Sequence, residues 1–139
     1  MRARLLRALS IVLLSLSALS CGTSYTYLNS YSNQGYSLGD GRRISGKVFQ
    51  TVTNYQAIVR VNTSSYDYLL VYIVKPYNST GYFFDDMIIN GNYIFIGTET
   101  YKTRNDMYKT VPVFVEEQSY VEGMVWNDVY ERIDIRQSQ

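Results

Sequence analysis

Residues 66–75, YDYLLVYIVK, are apolar on both phases of an extended chain. Leu69, Val71 and Ile73 fall on one side, Tyr68, Leu70 and Tyr72 on the other. A strand with two apolar faces needs cover on both, so it sits centrally in the sheet it joins. The fifteen Tyr, against five Phe and one Trp, favour strands elsewhere too, because aromatic side chains pack well on a pleated, half-covered surface.

The other segments follow the same period. From Ile44, the stretch ISGKVFQTV puts Ile44, Gly46, Val48, Gln50 and Val52 on one face; Asn54-Tyr55 breaks the phase and Ala57, Val59 and Val61 resume it. This predicts one long strand bent by a bulge near residues 53–55. Residues 62–65 read as a turn and 76–81 as a loop. In residues 87–96, MIINGNYIFI, the Asn90-Gly91-Asn92 interruption is either a tight hairpin or a glycine that lets one strand coil across a barrel; the short arms favour the coil. Gly97-Thr98 is expected to end that strand. Residues 99–103 and 107–116 then form a hairpin, with Val111, Val113 and Val115 facing inward and Pro112 outward, which demotes that arm toward an edge. A short helix or turn over 123–128 and a final strand complete the expectation. The class is all-β: a small curled antiparallel sheet or barrel, OB-like (oligonucleotide/oligosaccharide-binding) or SH3-like, without the helix that usually precedes the fourth OB strand.

The first 21 residues concern location. Arg2, Arg4 and Arg7 precede an apolar stretch, 8–19, of secretory-signal length and too short to span a bilayer comfortably. Ser17-Ala18-Leu19-Ser20 then leads to Cys21, the single cysteine of the chain, followed by Gly22. This junction resembles the lipobox of bacterial lipoprotein precursors, with Ala18 where Leu is preferred. The resemblance covers residues 1–21 only. It implies cleavage before Cys21, a diacylglyceryl thioether on that thiol and further acylation of the new amino terminus; with two membranes, Gly22 implies the outer one. The alternative is an ordinary signal peptide cut near Ser20 or a little later, with Cys21 incidental. A lone cysteine makes no intramolecular disulfide. The organisation expected is therefore a signal peptide (1–20), a lipidated Cys21 with a flexible Ser/Tyr/Gly spacer (21–43), and a barrel-like domain (44–139).

Composition narrows the chemistry. Losing residues 1–20 removes three Arg and leaves 119 residues with ten basic and twelve acidic side chains, net −2. No basic surplus remains for a run of phosphates, so nucleic acid is not an expected partner. With no His and Cys21 committed, His-dependent nucleophilic systems and the usual zinc and copper sites are excluded, and no cofactor or metal is implied. Only carboxylates are left: a hydrolase built on Asp85 or Glu99 is the rival from the enzyme class. The leading expectation is non-enzymatic, a membrane-anchored envelope lipoprotein whose β domain binds an envelope protein or a glycan; a plain spacer or scaffold is a third possibility. Tyr66, Tyr68, Tyr72, Tyr93, Tyr101 and Tyr108 are the candidate binding residues, since rings from neighbouring strands can form a stacking platform, although each alone is better explained as sheet packing.

Overall fold

The computed structural model describes residues 25–28, 36–63, 69–77 and 79–136. Among the described residues seven strands are formed: β1 (Gly41–Thr53), β2 (Gln56–Val61), β3 (Leu69–Val74), β4 (Ile88–Lys102), β5 (Tyr108–Glu116), β6 (Met124–Asn127) and β7 (Arg132–Ile135). The first five close into a barrel in the order β1-β2-β3-β5-β4, with β4 returning to β1, while β6 and β7 form a separate two-stranded ribbon. The fold is all-β, as expected, but not wholly antiparallel. β3 and β5 run parallel, Tyr72–Val74 beside Val113–Val115, so the barrel is a mixed Greek key of the OB kind.

β3 is central, between β2 and β5, as its two apolar faces require. Leu69, Val71 and Ile73 point into the barrel, where Ile44, Val48, Val59, Phe95 and Phe114 join them. Tyr72 and Val74 point outward into a second core made with Ile94, Ile96 and the ribbon residues Met124 and Trp126. The wall is thus apolar on both sides along this arc, which reverses one expectation. Val111, Val113 and Val115 face outward beneath the ribbon, and Phe114 is the β5 residue that fills the interior. Pro112 shares the Phe114 phase, is buried, and lies just ahead of the residues that ladder with β3. β5 is consequently a central strand and not an edge.

Other boundaries also move. Asn54-Tyr55 is the turn of a tight β1–β2 hairpin, closed by the Thr53↔Gln56 pair, rather than a bulge within one strand. β4 coils through Asn90-Gly91-Asn92 as expected, paired to β1 from Ile88 to Ile94. It does not stop at Gly97. A bulge there leaves Ile96 unpaired between Phe95↔Phe114 and Gly97↔Val113, and the strand continues to Lys102. The hairpin with β5 forms as expected. Met124–Asn127 is a strand where a short helix or turn was expected, and the final strand is present. Among the described residues of the β3–β4 connection no helix is formed. Phe83 from that loop enters the interior core, with the Lys75 ammonium 4.7 Å from its ring centroid, and Asp85 holds the loop to β1 by accepting from Thr51 N at 3.2 Å and Thr51 Oγ1 at 3.1 Å.

Parts of the segment read as spacer pack on the barrel. Leu28 is only 3% exposed, Tyr27 bridges to Arg43, Tyr36 stacks against Phe95 and Phe114, and β1 opens at Gly41, ahead of Ile44.

Candidate functional site

Two bulges in β1 create an open apolar surface on the barrel wall. Val48 pairs with Val59 and Gln50 with Ile58, so Phe49 is an extra residue; Thr51 pairs with Ala57 and Thr53 with Gln56, so Val52 is another. A bulged residue leaves the ladder and its side chain is re-aimed. Phe49 is 53% and Val52 45% exposed, although both are large apolar side chains on a barrel strand. The Arg60 guanidinium lies 4.9 Å from the Phe49 ring centroid, a cation–π contact that fixes the ring's orientation.

Facing these residues is the far end of the β4–β5 hairpin. Tyr101, Lys102, Thr103 and Arg104, together with Phe49, Val52, Ile58 and Leu70, line a groove of about 740 Å³. No Asp or Glu lies among its lining residues. Asp106 pairs with Lys102 at 3.4 Å at the hairpin tip, a contact so exposed that it holds Lys102 only weakly. Tyr101 is half-buried, and burial raises its phenol above the ordinary range. It remains a neutral donor and acceptor throughout the physiological range.

The six candidate tyrosines do not form one platform. Tyr66 and Tyr68 lie outside the described residues. Tyr72 is 4% exposed on the outer face of β3, its ring 5.7 Å from Trp126 and its hydroxyl donating to Gln56 Oε1 at 3.1 Å; burial, then the Glu99 and Glu131 carboxylates, push its pKa well up. Tyr93, 5% exposed, belongs to the interior core on the other side of the wall, where burial and then Glu116 push it up to about 12. Tyr108 is 73% exposed, opposite Lys102 in the hairpin. Of the four described candidate tyrosines, only Tyr101 lines the groove. A separate ring cluster, Tyr55 with Tyr77 at 6.0 Å and Tyr82 at 5.8 Å, stands at the β1–β2 turn. Phe49, Val52, Lys102 and Arg104 were not among the sequence candidates. Their one sequence signal was an aromatic at a solvent phase of β1, and the bulges that make it meaningful follow from pairing partners, not from local pattern.

The rival carboxylates are held structurally. Asp85 is occupied by Thr51, as above. Glu99 lies under the ribbon, where its Oε2 accepts from Trp126 Nε1 at 2.6 Å. Burial raises the Glu99 pKa, the indole N–H opposes that rise, and Glu131 and Asp128 add to it. A group raised in the folded state stabilises fully below its unfolded pKa and loses that contribution as pH climbs through the folded value. Glu99→Gln, which keeps an acceptor for Trp126, is therefore expected to gain stability over wild type as pH rises from 4 to 7, while Glu99→Ala, which strands the indole N–H, costs about 1–3 kcal/mol. Thermal melts of the three proteins across that range check both signs.

Among the described residues no cluster of three or more His, Cys, Asp or Glu is placed to hold a metal, and no helix is long and apolar enough to cross a membrane. No family model, curated protein or solved structure matches the chain. The groove therefore has to be understood from its own residues.

Proposed function

We propose that this protein is a lipid-anchored envelope lipoprotein whose barrel is a non-enzymatic binding module, receiving its partner in the groove between β1–β3 and the β4–β5 hairpin. The observation that carries the binding half is the pair of bulges that hold Phe49 and Val52 out of the ladder, opposite Tyr101 and Arg104, on a barrel whose interior is already filled by its own side chains. An exposed apolar patch maintained in this way marks an interaction surface more often than a packing fault. The anchoring half is supported by the sequence alone: the Arg-led apolar stretch and the small residues before Cys21, which lies outside the described residues. Two acyl chains at that position give stable membrane attachment where one gives reversible binding.

Metabolic labelling with a fatty-acid probe tests the anchor. Wild type is expected to carry the label and sediment with membranes, and Cys21→Ser to lose both. Membrane sedimentation without label in wild type overturns the anchor and leaves the groove reading untouched.

Within binding, a glycan ligand is favoured over a protein partner by the combination of ring faces and cations in the lining. OB-type barrels bind oligosaccharides on the corresponding face, a parallel that rests on fold analogy alone.

A further inference from the structure

Resting on the reading that this groove is where the barrel binds, we infer that its ligand is an acidic polysaccharide strand: pyranose rings bearing carboxylates. The floor supplies apolar contact for the C–H faces of sugar rings through Phe49, Val52 and Leu70, with Tyr101 offering both ring and hydroxyl. Phe49 has one further property. Its contact with Arg60 sets the ring in place before any ligand arrives, which lowers the ordering cost of stacking.

The charge distribution selects the kind of sugar. After loss of residues 1–20 the chain is net −2, and six of its twelve acids fall within residues 116–134. The groove departs from this balance, being lined by Lys102 and Arg104 and by no carboxylate. Arg104 presents a planar fork matched to a carboxylate, whereas Lys102 adds a mobile point charge. A neutral glycan leaves Arg104 unused and Lys102 with only its exposed, weak pairing to Asp106; an acidic one places its carboxylates against both cations while its rings lie on the floor. At about 740 Å³ the groove has the volume of a small-molecule site.

Isothermal titration of the detergent-solubilised full-length protein tests this with three probes: an oligogalacturonate, its methyl ester, and a single-stranded oligonucleotide. The oligogalacturonate is expected to bind, with affinity falling as salt is raised, and the methyl ester to bind at least about tenfold more weakly. Phe49→Ala and Arg104→Gln are each expected to weaken oligogalacturonate binding about tenfold, and Phe84→Ala, exposed but outside the groove, to leave it unchanged. Because Phe49 and Arg104 are exposed, both variants should melt with wild type, and the melt is recorded to establish that. Equal binding of acid and ester, no binding of the acid, or stronger binding of the oligonucleotide overturns the ligand class. A photocrosslinking amino acid at position 49 in intact cells separates that failure from a deeper one. An adduct abolished by Arg104→Gln keeps the groove as the binding site while the acidic glycan falls; no adduct and no titration signal removes both.

Discussion

Phe114→Ala is expected to cost about 3–5 kcal/mol, the range for truncating a fully buried aromatic. Phe114 has no exposed surface. It sits in the second half of β5 with Ile73 and Phe95 as its ladder neighbours, and its ring is 5.8 Å from Phe95 and 5.7 Å from Tyr36, both edge-on. Truncation loses the transfer term, leaves a cavity on the barrel axis and breaks two aromatic pairs each worth about 0.5–1.5 kcal/mol beyond area. Strands laddered on both sides cannot collapse into that space, so the cavity persists. Against a total stability of about 5–15 kcal/mol for a domain of this size, the loss is a large fraction. Urea unfolding should show a lower midpoint with an unchanged slope. A cost under about 1 kcal/mol would mean the interior can re-pack and that Phe114 is not its centre.

That residue also shows where sequence reasoning stopped. Alternation along residues 107–116 separates Val111, Val113 and Val115 from Phe114 without difficulty, but it carries no sign. Because the ribbon covers the outer wall, both phases are apolar, and only the position of Met124 and Trp126 tells inside from outside. The same ribbon was obscured by Val121, Val125 and Val129, whose four-residue spacing imitates a helical stripe although Met124–Asn127 is extended. β3 was legible for the opposite reason: two apolar faces state a requirement that any topology must meet. The parallel β3–β5 pairing was not, since it joins segments some forty residues apart through no local signal. Of the site, Tyr101 was anticipated, while Tyr72 and Tyr93 proved to lie on opposite sides of the wall. Phe49 and Val52 became visible only when Val59, Ile58, Ala57 and Gln56 were known to be their neighbours' partners.

Gly46→Ala is expected to destabilise by about 3 kcal/mol or more, and in doing so to dismantle the groove. β1 pairs with β4 over Gly41–Lys47 and with β2 from Gly46 onward, so Gly46 is in both ladders at once, opposite Ile89 on one side and Val61 on the other. A Cβ built there lies 2.1 Å from the Arg60 carbonyl oxygen and 3.0 Å from Val61 Cα. Both are backbone atoms of β2, with no rotamer to change, so relief requires β2 to move off β1. That movement breaks the Val48↔Val59 pair on which the Phe49 bulge depends, and it carries Arg60 away from the Phe49 ring. Amide exchange should therefore accelerate along β1 and β2 before the rest of the barrel, and binding in the groove should fall together with it. Gly91→Ala supplies the contrast. Gly91 was the glycine read from the sequence as letting a strand coil, yet an added Cβ meets only Tyr93 Cε2, at an ordinary 3.6 Å, and the cost should stay below about 1 kcal/mol. Equal losses at the two positions would show that backbone freedom shapes this barrel; a large loss at Gly46 alone would show that the close approach of β1 to β2 does.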